Sequence, residues 1–273
     1  MKWLTMSILV CLAGPARAEV FDEYDQPPPP ERSPQRFMLE FKLGPYSPDI
    51  DATSGLHGTP FADLFNNQFT DRPGHRPGPQ PLFTLEFDWQ FWHEYGSLGI
   101  GASLGFQRRK THAFEYSPGF GELACTVPNC VRAGDTTALT FFPIELLFIY
   151  RFDVLALRYG WKCPFVPYVK AGLAYYFWFI QDGGGDLAES LPRPDGGVMK
   201  GIGGTFGLIA QPGIAIMLDA LDPRANVVLD TELGINHAYA FFEMNAAWIT
   251  SFNIGNKMSF SDLTWSAGLG FEF

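Results

Sequence analysis

Leu263-Thr264-Trp265-Ser266-Ala267-Gly268-Leu269-Gly270-Phe271-Glu272-Phe273 closes the chain with a strict alternation. Leu263, Trp265, Ala267, Leu269, Phe271 and Phe273 fall on one side, and Thr264, Ser266, Gly268, Gly270 and Glu272 on the other. Successive residues of an extended strand point to opposite faces, so this segment has one apolar face and one polar or small face. It ends on a C-terminal Phe, in a chain that opens with an export signal. Together these predict an all-β fold, a transmembrane antiparallel up-and-down β-barrel whose outside meets lipid and whose inside is polar.

Working back from that strand, the same period of two recurs seven more times. Phe37–Gly44 sets Leu39, Phe41 and Leu43 against Glu40 and Lys42, and Leu82–Trp92 sets Phe83, Leu85, Phe87, Trp89 and Phe91 against Glu86, Asp88 and Gln90. Ser97–Gln107 alternates apolar residues with Gly and Ser. Thr137–Phe152 turns Glu145 and Arg151 inward, and Val166–Ile180 turns Lys170 inward. Thr205–Leu218 carries Pro212 in mid-strand, where a missing ladder donor predicts a bulge. A seventh strand is expected over Val227–Phe242, with Leu229, Leu233 and Ile235 outward and Asp230 and Glu232 inward. Eight strands are therefore expected, with ten possible if the first long loop contributes a hairpin. An even number brings both ends of the sheet to one side of the membrane. The lengths of the connections agree: 93–96, 153–164 and 219–226 are short or moderate, whereas 45–81, 108–136 and 182–204 are long. A soluble barrel with its apolar face inside is the rival that alternation alone leaves open.

Three segments are expected along the chain. Residues 1–18 read as a signal peptide with Lys2, an apolar run over Leu4–Ala13 and the small-x-small site Ala16-Arg17-Ala18. Such a leader predicts Sec export with cleavage near Ala18 and, for a barrel, residence in the cell outer membrane. Residues 19–35 contain Pro27–Pro30 and are expected to form an extended polyproline leader on the periplasmic side. Residues 36–273 are the barrel.

Composition fits. The chain is 16% aromatic with 29 Gly in 273 residues, as interfacial girdles and a crowded lumen require. Its formal charge of −10 argues against nucleic acid as a partner, since phosphate binding needs a basic stripe. Outer-membrane lipids, including lipopolysaccharide, are the expected surroundings, and Arg108-Arg109-Lys110 above the third strand is a candidate collar for their phosphates. Of the 4 Cys, Cys11 lies in the signal, Cys163 has no evident mate, and Cys125 and Cys130 sit close together in a Gly/Pro/Thr-rich segment. A loop disulfide is expected there in an exported protein, contributing about 2 kcal/mol by chain entropy, with a metal site as the alternative.

Several segments carry a resemblance to a known family. Leu43-Gly44-Pro45-Tyr46-Ser47-Pro48-Asp49-Ile50-Asp51, Cys125-Thr126-Val127-Pro128-Asn129-Cys130, Tyr150-Arg151-Phe152-Asp153-Val154-Leu155, Asp230-Thr231-Glu232-Leu233-Gly234-Ile235-Asn236-His237 and the closing strand resemble the myxobacterial outer-membrane β-barrel family, a deltaproteobacterial group of exported barrels. The resemblance implies an outer-membrane barrel. It also implies that the last strand, through Trp265, Leu269, Phe271 and Phe273, is similar to the signal read by the barrel-assembly machinery.

The inward faces gather the candidate functional residues: Glu40, Glu86, Asp88, Glu145, Asp230, Glu232 and Glu272 against Lys42, Arg151 and Lys170. Eight strands enclose a space that side chains just fill, so a packed network of ion pairs is expected, with an ion path as the alternative. No cofactor motif is present; the Gly clusters of the loops lack a phosphate-cradling pattern. The expected role is structural or interaction-type display of surface loops, with a narrow solute pore as the first alternative. A lipid hydrolase is the second: His237 on the outward parity, with Glu243 nearby and Ser251, Ser259 or Ser261 as nucleophile, although no Ser directly follows the His.

Overall fold

A computed structural model describes residues 36–53, 56, 59–65, 76–114, 132–154, 156, 164–189, 198–220, 229–253 and 257–273. The signal, the polyproline leader and all four cysteines, including the expected Cys125–Cys130 bridge, lie outside the described residues.

The alternating segments become the strands β1 (Phe37–Tyr46), β2 (Gln80–Trp92), β3 (Ser97–Phe114), β4 (Arg132–Arg151), β5 (Phe165–Gln181), β6 (Ile202–Met217), β7 (His237–Trp248) and β8 (Asp262–Glu272). Each pairs antiparallel with the next, and β1 pairs with β8 to close the barrel. Closure gives every strand a neighbour on both sides, although β3 beyond Phe106 extends past its register with β2. Phe273 N donates to Phe37 O at 2.8 Å and Arg36 N donates to Phe273 O at 2.8 Å, so both ends of the barrel domain share one rim.

The facing is unambiguous. Phe41, Phe83, Phe87, Leu104, Leu146, Phe148, Trp248 and Trp265 are exposed on the outer wall, Leu146 at 60%. The alternate positions Glu40, Lys42, Glu86, Asp88, Glu145, Arg151, Lys170 and Glu243 are buried inside. The soluble-barrel alternative required the opposite arrangement.

Three expectations change. Pro212 makes no bulge: β6 and β7 hold one register from Leu208↔Trp248 to Met217↔Tyr239, and pairing merely lapses at 211–212. Register shifts occur instead at Gln90/Trp92 and His112/Phe114. The seventh strand starts at His237, because residues 229–233 form a helical turn that Gly234, at φ +70°, brings to an end. The third strand runs on to Phe114, so Arg108, Arg109 and Lys110 lie within it and do not form a separate collar.

Three layers fill the interior. Near the shared rim, Met38, Val166, Tyr168, Met217, Tyr239 and Phe241 form an apolar cluster. The charged residues cross the middle. Toward the opposite rim, Tyr46, Phe141, Tyr176 and Phe260 stack with ring centroids 5.3–6.3 Å apart, and Ile50 and Phe61 of the first long loop pack onto them.

That loop is a plug with its own fastening. Asp51 accepts hydrogen bonds at 2.8 Å from both Phe61 N and Ala62 N, in the first turn of α1 (Pro60–Phe65). Burial pushes the Asp51 carboxyl above its ordinary value, while the two amides pull it back. Arg109 lies 5.7 Å from the Phe61 ring centroid and donates to Gly78 O at 3.0 Å and Tyr46 O at 2.6 Å. Asp51→Ala should loosen α1 by about 1 kcal/mol, as loss of a cap does. The check is hydrogen exchange at the Phe61 and Ala62 amides, expected to speed up about fivefold, with β-strand amides unchanged.

Candidate functional site

Strand parity brings the central charges into one layer. Glu40 and Lys42 come from β1, Glu86 and Asp88 from β2, Glu145 and Arg151 from β4, Lys170 from β5 and Glu243 from β7. Small residues on β3 and β8 leave room for these long side chains. A Cβ at Gly101 would overlap the Asp88 carboxylate, and one at Gly270 would meet Met38.

Each cation is shared. Lys170 Nζ contacts Glu40, Glu86 Oε1 at 2.5 Å and Glu243 Oε2 at 3.7 Å. Lys42 Nζ contacts Glu86 Oε2 at 2.5 Å, Glu243 Oε1 at 3.0 Å and Glu40 Oε2 at 3.5 Å. Arg151 Nη2 donates to Glu40 Oε1 at 2.7 Å and also to Asp88. Buried charges persist only when paired and hydrogen-bonded, which is what this lattice achieves. Tyr168 OH donates to Glu243 Oε2 at 3.2 Å and Ser266 Oγ to Glu243 Oε1 at 2.8 Å. Lys170 also lies 5.2 Å from the centre of the Tyr168 ring. Oxygens of Glu40, Glu86 and Asp88 come within 4.8 Å of one another, a spacing a metal ion could use. Lys42, Lys170 and Arg151 already supply positive charge to those carboxylates.

Glu272 lies lower, toward the shared rim, accepting from Gln90 Nε2 at 2.8 Å and from Tyr239 OH at 3.0 Å. Below it, Ser97 donates to Asp153, whose carboxyl burial pushes above its ordinary value.

Asp230 and Glu232 do not join the lumen. Both lie on the 229–233 helical turn beyond the barrel wall, Asp230 half-buried and Glu232 exposed. Glu243 takes the place expected for them. It lay one residue past the expected end of the seventh strand, and the correct start of β7 puts it on the inward parity with His237, Tyr239 and Phe241. His237 is therefore buried, not lipid-facing, and its Nδ1 pairs with Asp219 in the β6–β7 connection. It sits at the shared rim, at the start of β7, whereas Ser251, Ser259 and Ser261 lie in the β7–β8 connection at the other end. Eleven strand residues at about 3.4 Å each separate the two ends, so these groups form no triad. Of the expected assembly signal, Trp265 and Leu269 are exposed on the wall, Phe271 packs edge-on to Phe41 at 6.5 Å, and Phe273 closes the seam through its backbone.

No protein-family model and no curated protein matches the sequence. Among solved structures, the outer membrane protein OprG from Pseudomonas aeruginosa is 13% identical, with 89% of this chain and 97% of that chain covered and a TM-score of 0.45. Neisserial surface protein A (NspA) is 13% identical, covering 87% of this chain and 97% of that chain with a TM-score of 0.38. The N-terminal β-barrel domain of Pseudomonas aeruginosa OprF is 12% identical, covering 88% and 98% with a TM-score of 0.33. The eight-stranded architecture itself stands on the closed pairing of β1 through β8.

Proposed function

We propose that this chain is an outer-membrane barrel of structural or interaction type, non-enzymatic, with a filled lumen and its longer loops displayed on the exterior. One observation carries the reading: large apolar side chains cover the outer wall while the ionisable residues lie inside. A soluble protein rarely leaves so large a contiguous apolar surface in water, and lipid is the solvent that suits it. The lipid environment, lipopolysaccharide included, follows from that reading, as does handling by the barrel-assembly machinery through β8. The myxobacterial likeness of the quoted segments fits the same setting.

The filled-lumen part rests on the layering. An apolar cluster, an ion lattice and an aromatic layer succeed one another along the axis. In planar bilayers the purified barrel should give no steady ohmic channel above the membrane baseline. Well-defined unitary conductance steps would favour the narrow-pore alternative. Detergent-extracted protein should migrate faster on unheated gels than after boiling, as a closed barrel does; a single heat-independent band would count against assembly as a barrel.

A further inference from the structure

Beside the ion lattice the lumen holds a cavity of about 30 Å³, walled in part by Lys42, Thr84, Glu145, Gln211, Glu243 and Asn245. About 10–15 Å³ suffices for one water-sized particle, so the space admits an ion with a water beside it.

Its chemistry is short of positive charge. Glu40, Glu86, Asp88 and Glu243 draw on three cations, Lys42, Lys170 and Arg151. Glu145 is a further buried carboxylate of this layer, and among the described residues no cation lies within ion-pair distance of it. Among the described residues it accepts from neutral groups alone, Ser103 Oγ at 2.8 Å and Gln211 Nε2 at 3.3 Å. Two more cavity-lining residues have an oxygen with no hydrogen-bond partner. These are Gln211 Oε1, on a side chain only 4% exposed, and Asn245 Oδ1. Buried acceptors without donors are costly, and an uncompensated buried carboxylate more so. A carboxylate and two amide oxygens around a water-sized space want a hard cation.

We propose that this cavity binds one small monovalent cation of the sodium class, held by Glu145 and the amide oxygens of Gln211 and Asn245. A divalent ion fits less well, since calcium and magnesium sites draw on more oxygen ligands and more carboxylate charge. The Lys42 ammonium in the same wall also repels a second charge strongly. The proposal depends on the lumen geometry alone and holds whether or not the outer wall faces lipid.

The test follows unfolding of the detergent-folded chain in sodium chloride and in choline chloride at equal ionic strength, since choline is too large for the cavity. Sodium at about 100 times its dissociation constant should lower the unfolding equilibrium constant about 100-fold relative to choline. Glu145→Gln should abolish the difference. Asn245→Leu, which keeps the carboxylate, should weaken sodium at least tenfold and serves if Glu145→Gln does not fold. Equal stability in the two salts would overturn the proposal. So would a sodium effect that survives in both variants, or a response to calcium in place of sodium. A carboxylic-acid carbonyl band in the infrared spectrum, insensitive to sodium and absent from Glu145→Gln, would assign the site to a proton and equally overturn it.

Discussion

Lys170→Met is expected to destabilise the folded barrel by about 3–5 kcal/mol, the range for breaking a buried ion pair by removing one partner. Lys170 is 0% exposed, and it bridges Glu40 of β1 to Glu86 of β2 from the opposite wall on β5. Methionine fills a similar volume, so the loss is mainly electrostatic: two carboxylates remain in a dry layer with one cation fewer. Urea unfolding in lipid vesicles, followed by tryptophan emission, measures it. Adding Glu86→Gln to the same chain should recover part of the loss, because the orphaned negative charge goes with it. Lys200→Met supplies the contrast. Its partner Glu189 lies at 4.0 Å with both side chains more than half exposed, and such a pair contributes about 0–1 kcal/mol. A Lys170→Met loss as small as that of Lys200→Met would mean that the central layer is wet and screened.

Leu269→Arg is expected to reduce insertion stability by about 2–4 kcal/mol, the effect of an arginine on the lipid face at mid-depth. Leu269 is 47% exposed and pairs with Phe41, which pairs in turn with Leu85, both near the middle of their strands. Placed near the rim, the same substitution at Trp248, the last residue of β7, should be worth about 0–1 kcal/mol. Folding into vesicles, scored by the fraction migrating as the compact form, separates the two. Equal, near-wild-type folding of Leu269→Arg would mean that this face does not meet hydrocarbon.

Much of the fold was legible because a strand that separates lipid from a charged lumen must alternate strictly. Glu40, Lys42, Glu86 and Asp88 are each bracketed by apolar neighbours at odd positions, and the structure turns them inward. The reading failed where a different element mimicked the period. Leu229, Asp230, Thr231, Glu232 and Leu233 alternate well enough to pass for strand, yet they fold as a helical turn closed by Gly234. Carrying parity through that turn inverted His237 and concealed Glu243. Gly234 was the available signal, since a glycine with positive φ commonly ends a helix. Arg109 was misplaced for another reason. The expected third strand stops at Gln107. Carried on, its period of two turns Arg109 inward with Gln107 and Thr111 and leaves Arg108 and Lys110 exposed, while Phe61 and the Tyr46 and Gly78 carbonyls supply the partners of Arg109. Contacts with partners 31 to 63 residues away in sequence, as Gly78 and Tyr46 are from Arg109, leave no periodic trace.

Brominated-lipid quenching of two single-tryptophan proteins tests the orientation of the wall most directly. One retains only Trp265, which is 45% exposed on the outer face; the other retains only Trp178, which packs inside against Phe260. Bromines along the acyl chains should quench Trp265 strongly and leave Trp178 nearly unaffected. Strong quenching of Trp178 with Trp265 untouched, or a protein that stays in solution and ignores the vesicles, would contradict an apolar wall facing lipid around an ionic interior.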